Sequence, residues 1–474
     1  MIKRPIVYLL LGIAILFTFV RTNAKIHRVP ADFVKIQSAI NASSNSDTVV
    51  VYPGTYYENV ILRGKKIILT SRFYETGDIH FISSTIINGS QPVSADTASC
   101  VLVINGEDST AVLQGFTLTG GQGTVWLDRH IGGNYREGGG ILIDGASPTI
   151  RYNRIISNQA INKSGVNSAG GGAIRADGGT PRILNNVIAY NAGHYGAGIV
   201  FNFCGGIIRN NIIYKNTGGS DFGGSGVWAY SNGPSSIVLE NNTIVGNQSS
   251  TYGGGLVVWA TSMTVRNTIL WDNTSPTSPQ IYLNGGTTNV SYCDIQGGYA
   301  GKAVLNQDPL FADTTSFILN GTSPCIDTGD SSIWYNDSEN ILNPGEALLP
   351  SKGTIRNDIG AYGGPEATFL PDFNLLAGVG LSGNYIPTAF SLQQNYPNPF
   401  NPLTIIQFAL QKREFIRLRI MNITGQEIET LINGEIEAGF HSVVWNASAY
   451  SSGIYFYQVE TLGYHETKKM ILLR

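Results

Sequence analysis

An all-β chain is expected from this sequence, wound as a right-handed single-stranded parallel β-helix and finished by a small C-terminal β-sandwich. Three observations carry that expectation. First, Asn-x-Ile-x-x-Asn recurs from Asn153, Asn186, Asn211, Asn242 and Asn267, in steps of 33, 25, 31 and 25 residues, the last copy closing one residue late. A repeat of this length is the mark of stacked supersecondary units. Second, 57 glycines with only 13% charged residues suit short strands and tight turns, not helices. Third, the last 88 residues alternate apolar and polar positions, with turn signals every ten or so.

At 474 residues the chain exceeds one ordinary core. Residues 1–24 read as a signal peptide: Lys3 and Arg4 lead an apolar run from Ile6 to Val20, followed by Thr22-Asn23-Ala24. No later segment is apolar enough to cross a bilayer, so no transmembrane anchor is expected in the mature chain. Residues 33–40 place Phe33, Ile36, Ala39 and Ile40 on one helical face, a cap for the open apolar end of a solenoid. Strands follow at Thr48–Val51, Val60–Leu62 and Ile67–Thr70, then strand and turn alternate to about residue 330.

The first Asn of each repeat would stack on its neighbours one coil away, about 4.8 Å, as a side-chain amide ladder. Asn also tolerates the left-handed backbone of a sharp corner. The repeat is therefore expected to be structural. Four copies lead into a glycine run and a short strand: GGGAIRAD, GAGIVFN, GSGVWAY and GGGLVVWA. Coils of about 25 residues with three strands, crossing over in the usual hand, describe a right-handed parallel β-helix over residues 25–365.

This region resembles the pectin-lyase-like β-helix superfamily. IQSAINASSNSDTVVVYPGTYYENVILRGKKIIL is similar to the superfamily's first coils, and DPLFADTTSFILNGTSPCIDTGD with NDIGAYGG to the close of exported members. That implies the fold, and leaves activity to be read from the site. The Asn-Thr-Asp, Asp-Asp and Gly-His-Gly series of the polygalacturonases is missing, as are the pectate lyase and mannuronan epimerase motifs.

Residues 366–386 mix Pro, Gly and small residues and read as a linker. Residues 387–474 carry QNYPNPFNP, AGFH, SGIYFY and KKMILLR in order. They resemble the C-terminal sorting domain of type IX secretion cargo. That resemblance implies passage across an outer membrane by the type IX secretion machinery, and a secreted or cell-surface destination.

Chemistry is sought on the strand after each glycine run, where alternation sends Ile141 and Ile143 inward. The outward positions form two columns: Leu142, Arg175, Val200, Trp228, Val257 and Asp144, Asp177, Asn202, Tyr230, Trp259. An exposed stripe of carboxylates, an arginine, an amide and aromatics suits a saccharide. Asp144 and Asp177, on adjacent coils about 5 Å apart, could act as acid and nucleophile or share a Ca²⁺, with Arg175 steadying a uronate or acting as a lyase base. Asn202, Trp228, Tyr230, Trp259, His130 and His194 are the expected substrate-binding residues. Loops 122–137, 160–169 and 216–223 insert at one corner, from which Trp126, Arg129, His130 and Tyr135 could reach over the stripe.

A net charge of −3 gives no electrostatic case for nucleic acid. Cys100, Cys204, Cys293 and Cys325 match no metal spacing; Cys293 with Cys325 is the plausible disulfide, and buried free thiols are the alternative. The expected function is binding or processing of an extracellular polysaccharide, as a lyase or glycoside hydrolase if enzymatic. No cofactor is required beyond the Ca²⁺ already considered. The alternative is a non-catalytic adhesin or structural solenoid.

Overall fold

The computed structural model describes residues 24–130, 132–231, 236–341, 343–370, 390–392, 394–395, 398–400, 402–436 and 439–473. The signal peptide and most of the expected linker lie outside them. Among the described residues, three long parallel sheets stack coil upon coil: ten strands from Ile26–Val29 to Thr287–Ser291, nine from Gly54–Tyr56 to Asp294–Ile295, and eight from Val60–Ile61 to Ile281–Asn284. They enclose one apolar core, with Ile141, Ile174, Ile199, Val227 and Leu256 stacked in register from successive coils. The expected cap helix spans Ile36–Ala42 and buries Ile36, Ala39 and Ile40 against that core. No helix among the described residues is long and apolar enough to cross a membrane.

The asparagines form two buried ladders, one at each end of the repeat. Asn153 donates to the Asn186 side-chain oxygen, Asn186 to Asn211 and Asn211 to Asn242, at 3.0–3.2 Å. Asn158, Asn191, Asn216, Asn247 and Asn273 repeat the pattern at 2.9–3.1 Å. Two details depart from expectation. The left-handed residue at the corner is the one before each ladder asparagine: Tyr152, Asn185, Asn210, Asn241 and Asn267 all have φ near +50°. And Asn267 occupies that corner, so Thr268, whose hydroxyl takes the Asn242 backbone N–H at 3.3 Å, holds the ladder position. The fifth copy therefore starts one residue later than it reads, which accounts for its late closing asparagine.

The glycine runs have a steric cause. A Cβ on Gly198 would meet the Gly226 carbonyl oxygen at 2.3 Å, and one on Gly226 would meet that of Gly255 at 2.3 Å. At these two corners the coils pass too closely for a Cβ, although the equivalent place one coil earlier is taken by Ala173.

Residues 311–370 fold back along the side of the solenoid. Phe317, Ala361, Tyr362 and Leu370 cover the outward residues Ile156, Val187, Ile212, Tyr214 and Val245. The corner asparagines hold this strap: Asn185 donates to the Glu366 carbonyl, Asn210 to Ala361 and Gly363, and Asn241 to Asp358, at 2.8–3.0 Å, while Asn267 accepts from the Asp330 N–H at 2.9 Å. All four cysteines are free and buried. Cys293 and Cys325 are not joined; the Cys325 thiol lies 3.2 Å from an Asp294 carboxylate oxygen instead.

The named strands of the C-terminal region pair antiparallel. One sheet holds Ser391–Leu392, Leu403–Leu410 and Gly439–Asn446; the other holds Glu414–Met421, Glu427–Ile436, Gly453–Glu460 and His465–Leu472. Trp445, Tyr457, Met470, Phe408 and Phe400 share its core. Its Asn-Pro-rich opening is tied to the sheets: the Tyr457 hydroxyl accepts the Asn395 N–H at 2.7 Å, and Phe400 and Asn398 pair with Ile471.

Candidate functional site

The eight-stranded sheet carries the outward columns that alternation predicts. Its register runs Leu142, Arg175, Val200, Trp228, Val257, Tyr282 and, two residues on, Asp144, Asp177, Asn202, Tyr230, Trp259, Asn284. The surface is not the exposed stripe expected. Arg175 is fully buried, and Asp144, Asp177, Asn202 and Trp228 are 5–6% exposed. Over Asp144, Arg175 and Asp177 the cover is a hairpin of Thr124–Leu127 and Asn134–Glu137, inserted ahead of the first glycine run, whereas Trp228 lies against Tyr195. Outward from the barrel here means inward under a lid.

Beneath the hairpin, Arg175 is ringed by acid. Its guanidinium lies 3.1 Å from Asp128, 3.1 Å from Glu137 and 3.2 Å from Asp177, and also reaches the Ala169 carbonyl and the Tyr195 hydroxyl. Burial alone would lower the arginine pKa; Tyr195 and the three carboxylates reverse that and raise it. Asp177 also accepts from Asn202 at 3.0 Å and faces the His130 ring nitrogen at 2.9 Å. Asp144 takes the Trp126 indole N–H at 2.9 Å and the Arg129 guanidinium at 2.8 Å. Trp126, Arg129 and His130 thus reach over the columns as expected, and Tyr135 packs beside them.

Asp128, Glu137 and Tyr195 complete the cluster and were invisible to the alternation of the coil strands, since Asp128 and Glu137 enter from the inserted hairpin and Tyr195 from a bend. Glu137 is fully buried and neither of its oxygens accepts a hydrogen bond of good geometry, although one stands close to Arg175. Burial pushes its carboxyl up to about 7, the charge of Arg175 opposing. Burial likewise raises Asp177. As ligands for Ca²⁺, Asp144 and Asp177 already face Trp126, Arg129, His130, Arg175 and Asn202, so a cation would have to displace those donors. Among the described residues, no group of three or more His, Cys, Asp or Glu side chains is disposed to hold a metal ion.

Beyond the hairpin the same face becomes aromatic. Tyr195 packs on Trp228 with centroids 4.8 Å apart, Trp228 lies 6.0 Å from Tyr230, and Tyr252 stacks on Tyr282 at 4.5 Å. Phe222 approaches Trp259 at 5.8 Å and is 42% exposed. His130 stacks on Phe203 at 3.7 Å, and Phe203 meets Tyr230 edge-on. Tyr230, Trp259, Tyr252 and Tyr282 are half-buried, so they form an aromatic ledge partly open to solvent. His194 stands apart from the acidic cluster, paired with Asp221 at 2.6 Å and Ser220 at 2.9 Å on the neighbouring loop.

Residues 72–270 match the family model described as the right-handed β-helix region, and residues 394–473 match the secretion system C-terminal sorting domain. No curated protein matches the chain. Among solved structures, a pectin methylesterase variant in complex with a hexasaccharide is similar at 11% identity and a TM-score of 0.31, over 64% of this chain and 98% of that one.

Proposed function

This chain is a right-handed parallel β-helix protein carrying a type IX secretion sorting domain, and on that footing we propose that its helix binds polysaccharide outside the cell. The aromatic ledge carries this reading. Tyr230 and Trp259 are paired across adjacent coils in one outward column, and Trp228 and Tyr282 stand in the other. Coils rise about 4.8 Å, close to the advance of one sugar in an extended chain. Aromatic faces pack on sugar C–H faces, and tyrosine hydroxyls and amide edges meet sugar hydroxyls. A glycan would lie along the solenoid axis, crossing one coil per sugar.

Binding fits the geometry better than turnover. Asp144, Arg175 and Asp177 are covered and already paired with one another and with the hairpin. A catalytic role would need residues 124–137 to lift away. Affinity electrophoresis through polysaccharide-containing gels, run beside an absorbance assay for unsaturated uronates and a reducing-end assay, tests the reading. Retardation without product is expected. Product release that Asp177→Asn abolishes would favour an enzyme. Retention by no glycan would favour an adhesin with a protein partner.

A further inference from the structure

Resting on that reading, we infer that the ledge takes a neutral polysaccharide and rejects uronate polymers. The charge distribution on this face carries the inference. Along four successive coils, Ile199–Asn202, Val227–Tyr230, Leu256–Trp259 and Ile281–Asn284, no strand residue bears a charge. Two cations at the hairpin end are already engaged. Arg175 is buried among Asp128, Glu137 and Asp177, and Arg129 is paired with Asp144. The nearest loop adds Asp221, whose side chain is 58% exposed and sits by His194. A polyuronate brings one carboxylate per sugar and would meet the exposed Asp221, with no charged strand residue on these four coils to receive it.

Like charge in partly desolvated surroundings disfavours such a ligand. A neutral chain meets no such barrier. Its hydroxyls can pair with what the ledge offers: the Tyr230 and Tyr282 hydroxyls and the Asn284 amide, at positions facing outward in register. The ligand class is therefore set by two features together, stacked aromatics and the lack of available positive charge.

The test uses the full chain in affinity gels containing xylan, glucomannan or mixed-linkage glucan in one series, and polygalacturonate or alginate in another. Retardation by at least one neutral polymer is expected, unchanged as NaCl rises from about 0.05 to about 0.5 M, because screening weakens only charge-based binding. Trp259→Ala should weaken it about tenfold with an unaltered circular dichroism spectrum. Tyr282→Ala, on the next coil, serves as the second variant if Trp259→Ala does not fold. Retention by polygalacturonate or alginate, relieved by salt, would overturn the inference while leaving polysaccharide binding intact. Retention by no polymer would overturn both.

Discussion

Asn216 concentrates the logic of the repeat in one side chain. Its amide donates to the Ile188 carbonyl and to Asn247, and its oxygen receives both the backbone and side-chain N–H groups of Asn191. It is fully buried, so Asn216→Ala leaves several polar groups without partners. At about 1–3 kcal/mol for each unsatisfied group, a loss on the order of 3 kcal/mol is expected in urea denaturation, whereas Asn185→Ala, at the corner, should cost less. The sequence announced these ladders through spacing alone, because a side chain that must meet its own copy one coil away forces periodicity. It misled at the fifth copy, where Asn267 and Thr268 exchange the residue types of corner and ladder. Composition cannot separate two adjacent positions that both favour asparagine.

The hairpin of residues 124–137 is the element that turns a surface stripe into an interior. Replacing Arg175 by Met leaves Asp128, Glu137 and Asp177 buried together without their shared guanidinium, the His130 ring alone facing Asp177. Removing one partner of a buried ion cluster costs about 3–5 kcal/mol, and the expected readout is a lowered Tm with new protease cleavage within 124–137. The pH dependence follows from Glu137. Its carboxyl ordinarily titrates near 4.5 and is held up to about 7 in the fold. A raised acid stabilises the fold fully below the ordinary value and loses that contribution as pH rises through about 7. Glu137→Gln stays neutral throughout, so its Tm relative to the parent should improve from pH 5 to pH 8. A flat difference across that window would remove Glu137 from the account. Strand alternation gave the two outward columns correctly, since both faces of a strand follow from a period of two. It could not give their burial, because Asp128 and Glu137 arrive from an inserted hairpin whose path the coil repeat does not describe.

At the scale of the molecule, the antiparallel C-terminal domain and the parallel solenoid are built on separate cores. Deleting residues 387–474 is expected to leave the folded helix in the periplasm, detected by cell fractionation; normal secretion of the truncated chain would contradict the sorting role. The strap of residues 311–370 has a consequence for how the solenoid melts. A stack in which each coil touches only its neighbours should fray from its ends, one coil at a time. Here one returning segment is bonded to corners on four successive coils, through Asn185, Asn210, Asn241 and Asn267. Those coils are wired in parallel as well as in series. Hydrogen exchange should therefore find residues 185–295 opening as a single unit, with protection that ends together; cutting the chain at residue 329 should restore graded loss from the C-terminal coil inward.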